Sequence, residues 1–176
     1  RIVGLCLAAC AVGAHAAEAP LRTERARRRQ RPISVLEALR REFFGNLDLD
    51  FSRDELENLD SELDLYDRGI GDLEGLQFCR NLTGLNLSCN SIFDITPLKF
   101  LRRLEQLDLS NNDIDDADCL VSLKRLEELD ISYNGLDGIA FLLEMPGLKV
   151  VNLEGVPRPD PAVIATLRER GVLVLV

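Results

Sequence analysis

The 176-residue sequence contains no tryptophan and one methionine, and only 5% of its residues are aromatic, so any core it builds is aliphatic. Histidine is almost missing as well. The single one, His15, lies in an apolar N-terminal stretch that reads as a removable leader. Without it the chain has no Ser-His or Cys-His nucleophile pair and no imidazole metal ligand. There is no glycine-rich phosphate loop and no nucleotide-binding motif. Positive charge is in deficit: the formal net charge is −9. Phosphate backbones need a basic footprint, so nucleic acid is not the expected partner. Of five cysteines, Cys79, Cys89 and Cys119 lie beyond the leader. Their spacing fits no metal site, and an odd number makes no disulfide framework. They read as small hydrophobes.

What the chain has in excess is leucine at a fixed interval. Leu82, Leu104, Leu126 and Leu148 open units that recur every 22 residues. Each opener is followed by a pair, Leu85/Leu87, Leu107/Leu109, Leu129/Ile131 and Val151/Leu153. Asn90, Asn112 and Asn134 come next, and then Ile92, Ile114 and Leu136. Leu98/Leu101, Leu120/Leu123 and Leu142/Met145 occupy the second half of each unit. A degenerate earlier unit starts at Asp60, and Leu173/Leu175 fall on the strand positions of a final partial one. Self-similarity at such a period means a solenoid. Leu-x-Leu has the two-residue period of a strand, and apolar positions three apart suit a helical or 3₁₀ turn. One unit cannot bury its apolar face alone, so stacking supplies the core. The asparagines sit where the backbone leaves the strand, and there an amide satisfies groups that the turn leaves unpaired.

The segments LTGLNLSCNSIFDITPLKF, LEQLDLSNNDI and LEELDISYNGL resemble leucine-rich repeats. The likeness is to the short 22-residue class of internalin-like bacterial proteins and eukaryotic phosphatase-regulator relatives. It covers residues 60–176. It implies an α/β solenoid with a curved parallel β-sheet on the concave face and short helical or 3₁₀ turns on the convex face. The repeats serve unrelated partners, so the resemblance speaks to fold more than to function.

Along the chain, residues 1–16 read as a signal peptide cleaved after Ala16, which implies a secreted or periplasmic protein. The competing reading takes Leu7-Ala8-Ala9-Cys10 as a lipobox, with Cys10 lipidated and the membrane as anchor. Residues 17–32 carry Arg22, Arg25, Arg27, Arg28, Arg29 and Arg31 and read as a solvated, disordered linker. An electrostatic arm for anionic lipid or for an acidic partner is the sharper alternative, and folding back onto the acidic face of the repeats in competition with a partner is a further one. Residues 33–59 form the N-terminal cap. Ile33, Leu36, Leu39, Arg40 and Phe43 make a helical stripe over 33–44, stopped by Gly45, and Leu47, Leu49 and Phe51 alternate as a short strand. Asp48 to Asp54 starts like a calcium loop but has Arg53 where glycine is needed and Leu59 where glutamate is needed. Ser52 with Glu55 reads instead as a capping box. The repeats run over 60–156. Residues 157–176 then give a helix, Pro161–Arg170, capped by Asp160, and an apolar edge strand, Val172–Val176.

The surface the repeats present is the remaining functional feature. The residue between the strand leucines faces the concave side, giving a column of Asp64, Asn86, Asp108, Asp130 and Asn152. Beside it stand Glu62, Tyr66, Ser88, Gln106, Ser110, Glu128, Ser132, Tyr133 and Glu154. From Ile33 onward there are 28 acidic and 14 basic side chains, a balance of −14. This column is the expected binding surface for a protein partner of basic or polar character, contacted by a monomer without cofactor. Asn86, Asp108 and Asp130 are oxygen donors of the type calcium takes, though they would hold it from one side only. The alternative function is a regulatory or structural subunit that cups an enzyme. Catalysis by the chain itself is not expected, because Asp108 and Asp130 lie on an open face with no pocket.

Overall fold

A computed structural model describes residues 32–44 and 51–176. The leader, the Arg-rich segment up to Arg31, Gly45 and the Leu47/Leu49 positions lie outside the described residues. The apolar pattern becomes six parallel strands: β2 (Asp60–Asp64), β4 (Asn81–Asn86), β5 (Gln106–Asp108), β6 (Glu128–Asp130), β7 (Val150–Asn152) and β8 (Leu173–Leu175). Leu85, Leu107, Leu129 and Val151 stand in register and are buried. Between strands the chain returns through 3₁₀ turns at Leu76–Phe78, Thr96–Phe100, Asp118–Ser122 and Ala140–Glu144. Leu76, Leu98, Leu120 and Leu142 in these turns are 0% exposed and form the opposite wall of the same core. Burying each such leucine contributes roughly 1.5–3 kcal/mol, so the stacked aliphatic core dominates stability.

The asparagines join one coil to the next. The Asn112 amide donates to the carbonyls of Leu87 at 3.0 Å and Leu109 at 2.9 Å, and its oxygen accepts the Ile92 N–H at 3.1 Å. Asn90 and Asn134 repeat the arrangement one coil either way, with Nδ2 to Leu65 O and to Leu109 O, each at 2.9 Å. Just before each asparagine the backbone is left-handed, at Cys89, Asn111 and Tyr133, as it is at the matching Asp67 ahead of Arg68 in the first coil, with φ of 52° to 58°. In the next coil Gly155 takes that conformation (φ 71°) and Val156 replaces the asparagine, which ends the ladder.

The caps differ in part from the pattern. The first helix, α1, spans Val35–Phe44, because Ile33–Ser34 (β1) is a strand beside β3 (Ile70–Asp72). Its buried face is Val35, Ala38 and Leu39, whereas Phe43 is 51% exposed. Pairing of Ile33 N–H with Gly69 O at 3.0 Å holds the chain extended, and the Ser34 hydroxyl then accepts the Glu37 N–H at 3.2 Å, where a helix cap belongs. Phe43 packs edge-on against Phe51 with centroids 6.0 Å apart, and Glu42 pairs with Arg68 of the first coil. Ser52 caps α2 (Arg53–Glu57) with a complete capping box to Glu55. At the far end Asp160 accepts the Ala162 N–H at 2.8 Å and caps α3 (Pro161–Glu169).

The last strand corrects the expected register. Leu173 and Leu175 do not take the core positions: Val174 stands opposite Val151, and Leu175 opposite Asn152. Val174 is 6% exposed and Leu173 is 58% exposed. The final coil holds a true α-helix in place of a 3₁₀ turn and is one residue longer, and a one-residue slip exchanges the two faces of a strand.

Candidate functional site

The concave column is mostly structural. In each coil the residue between the strand leucines turns its side-chain oxygen onto the backbone two residues later. Asn86 Oδ1 accepts from Ser88 N at 3.0 Å, Asp108 Oδ1 from Ser110 N at 2.9 Å, and Asp130 Oδ1 from Ser132 N at 2.9 Å. The serine hydroxyls donate to the same oxygens at 2.6–2.7 Å. Asp64 and Asn152 make the backbone contact to Tyr66 N and Glu154 N, at 3.0 and 3.1 Å. This is an Asx turn repeated in five coils, and it ends each strand by satisfying a backbone donor. Asn152 Nδ2 also donates to Asp130 Oδ2 at 2.9 Å, cross-linking two turns.

Burial follows from this. Asn86, Ser88, Asp108, Ser110, Asp130, Ser132 and Asn152 are at most 9% exposed. They are therefore not the open surface that the alternation implied. Nor do they form a cation site: the facing oxygens are already bonded to serine, and among the described residues no group of three or more Asp, Glu, Cys or His could hold a metal ion. Glu62, Asp64, Tyr66, Tyr133 and Glu154 remain exposed, and Gln106 and Glu128 are half-buried.

The accessible row of the sheet lies two residues earlier, on the same face. Glu62, Gly84, Gln106, Glu128, Val150 and Leu173 are in register across the six strands. The row is acidic at its N-terminal end and apolar at its C-terminal end. Gly84 leaves room for the neighbouring side chain: a Cβ there would stand 2.9 Å from Glu62 Cγ. Tyr133, half exposed, donates from its hydroxyl to Glu154 at 2.6 Å and so presents its ring face rather than its polar tip.

Charge is segregated on the two flanks, a feature the overall balance concealed. The flank where strands begin carries Arg80, Arg102, Arg103, Lys124 and Arg125. The flank after the asparagines carries Asp94, Asp113, Asp115, Asp116 and Asp137. Reading the sequence in columns of 22, rather than as a net charge, shows the same separation. On the acidic flank Asp72, Asp94 and Asp116 close Asx turns that lead into the 3₁₀ turns, accepting from Glu74, Thr96 and Asp118 N–H at 2.8–2.9 Å. The Thr96 hydrogen bonds, side-chain then backbone, hold the Asp94 carboxyl below its ordinary range. Phe93, Asp94, Thr96, Asp115 and Asp116 line an open depression of about 220 Å³ on this flank.

The described cysteines sit where small hydrophobes were expected. None of the three is in a disulfide; Cys79 is buried, and Cys89 and Cys119 are half-buried. Burial pushes the Cys79 thiol up to about 12, and burial, with nearby Asp116, pushes Cys119 to about 11. No described helix is long and apolar enough to cross a membrane.

Comparisons with known proteins follow this geometry. A family model described as leucine rich repeat matches residues 80–136. An internalin from Listeria monocytogenes has a similar structure, with TM-score 0.70 and 25% identity over 80% of this chain and 41% of its own. A second internalin from that organism gives TM-score 0.58 and 26% identity over 69% of this chain and 53% of its own. A leucine-rich-repeat protein of Leptospira interrogans gives 0.60 and 25% over 72% and 34%. The chain thus spans only about a third to a half of the length of these structures. No curated protein matches the sequence.

Proposed function

We propose that this leucine-rich-repeat protein works as a non-catalytic module that binds another protein across the outer face of its six-stranded sheet. The observation that carries the reading is the accessible row from Glu62 through Gln106 and Glu128 to Val150 and Leu173. Such a row suits a partner that brings basic or polar groups to one end and an apolar side chain to the other. Tyr66 and Tyr133, about half exposed, flank it as rigid amphipathic contacts of the type enriched where binding energy concentrates. The leader-like residues 1–16 favour a partner outside the cytoplasm. Sequencing the mature N-terminus distinguishes cleavage before Ala17 from lipidation at Cys10.

Capture of partners from envelope and culture-fluid proteins tests the reading, with the native chain as bait beside a Glu62→Ala, Tyr66→Ala, Glu128→Ala variant. These three side chains are chosen because Asp108 and Asp130 belong to the turns, so replacing them would unfold the bait. A partner held by the native chain and lost by the variant supports the sheet face. A partner held equally by both places the site elsewhere.

A further inference from the structure

The flank that carries Phe93 is also where the chain's N-terminal segment arrives. Pro32 lies against Gly71 so closely that a Cβ on Gly71 would stand 2.5 Å from the Pro32 Cβ. Gly71 and Phe93 occupy the same position of successive coils, so whatever precedes Pro32 is delivered one coil from Phe93. Phe93 is 65% exposed, a large aromatic where the next coils carry Asp115 and Asp137. It forms one wall of the depression shared with Asp94, Asp115 and Asp116, and no lysine or arginine lines it. The neighbouring Lys99 holds its ammonium over Phe100, 5.2 Å from the ring centroid. Immediately before Pro32 come the six arginines of residues 22–31.

We propose that the arginine-rich segment 22–31 docks along this flank of its own chain, with a guanidinium lying over Phe93 between the Asp94 and Asp115 carboxylates. Guanidinium is the cation suited to this wall, since it is weakly hydrated, stacks on aromatic faces and pairs with carboxylates. The reach is sufficient. Coils are stacked ~4.8 Å apart, and five extended residues span roughly 17 Å, so Arg27–Arg31 covers Phe93 through Asp137. Tethering raises the local concentration of the segment to about the millimolar range, so modest pair energies are enough. The docked segment shields the acidic flank from other cationic partners and leaves the sheet face open. This arrangement replaces the fold-back onto the concave column, whose Asp108 and Asp130 carboxylates are buried.

Limited trypsin digestion of the full chain at low salt tests this without any partner. Cleavage after Arg25, Arg27, Arg28 and Arg29 is timed by mass spectrometry against cleavage after Arg102 and Lys124 in the solenoid. Two variants are compared with the native chain, Phe93→Ser and the pair Asp94→Asn with Asp115→Asn. Asparagine keeps the turn acceptor at position 94 and removes only charge. The expected result is cleavage of the segment about fivefold faster in each variant, with native protection fading as salt is raised. Equal rates in all three chains at low salt would overturn the proposal. Protection that grows with protein concentration would place the segment on a second copy and overturn the intrachain arrangement.

Discussion

Replacing Asn112 by alanine is the sharpest test of what joins the coils. Its amide makes four buried hydrogen bonds, to the carbonyls of Leu87, Leu109 and Ser110 and from the Ile92 N–H, at 2.9–3.3 Å. Alanine removes all of them and strands the Ile92 N–H in a site that is 8% exposed, whereas Leu87 O, Leu109 O and Ser110 O keep bonds from Asn90 Nδ2, Asn134 Nδ2 and the Cys89 N–H. A buried group left unsatisfied costs about 1–3 kcal/mol. The Ser110 contact at 3.3 Å is marginal and counts for little. With about 0.5–1.5 kcal/mol more for each of the two short bonds lost to Leu87 and Leu109, the expected loss is about 2–5 kcal/mol, large for a single substitution. A domain of this size holds only about 5–15 kcal/mol in all. Asn111→Ala is the control. That residue is half-buried and left-handed, with φ 55°, and alanine there costs about 1–2 kcal/mol. Urea unfolding followed by far-ultraviolet circular dichroism measures both. If Asn112→Ala costs no more than Asn111→Ala, the amide is not what ties neighbouring coils. Because the Asn112 bonds cross from one coil to another, the Asn112→Ala transition should also broaden or split, as expected when one interface of a linear stack weakens.

Three further outcomes follow. At around pH 8 an alkylating reagent should leave Cys79 and Cys119 unmodified until the chain unfolds, because burial keeps both as thiols; labelling of either in the native chain, mapped by mass spectrometry, would contradict their placement. Hydrogen bonds from the Ser52 backbone and then its hydroxyl hold the Glu55 carboxyl below its ordinary value, so its contribution is full above that value and lost as pH falls through the folded one. Glu55→Gln should therefore melt below the native chain near neutral pH and approach it as the pH falls through the folded value, whereas a gap that stays constant with pH would refute the carboxylate's role. Arg168 donates to the Val174 carbonyl at 3.2 Å and covers part of the free edge of β8. Arg168→Ala should promote concentration-dependent self-association by sedimentation velocity, and a variant that sediments as the native chain does would show that the edge needs no such cover.

The repeat frame was readable because it rests on a property of single residues. Leu85, Leu107 and Leu129 are apolar, recur at 22, and must share a face, and the register follows from that alone. The two misreadings have a common origin, since both depend on relations between coils that a pattern along one coil does not carry. Asp108 looked like surface because it alternates with two leucines, and alternation normally sends polar groups to solvent. Its oxygen accepts instead from the Ser110 N–H and hydroxyl, so the Asp-x-Ser spacing is itself the signal of a turn. Val174 was passed over for Leu173 and Leu175 because the period was carried unchanged through a segment that an α-helix had lengthened. The Pro161 start and Asp160 cap, both visible in the sequence, already announced a helix longer than any 3₁₀ turn. A register extrapolated across a changed return segment is thus unsafe even where the repeat is otherwise regular. The same reasoning locates the accessible surface. Side chains that the turns consume are unavailable to a partner, and what remains is the row two residues earlier on the same face. That row runs from Glu62 to Leu173 because the lengthened last coil turns a leucine outward, so the irregularity that ends the core also supplies the apolar end of the proposed binding face.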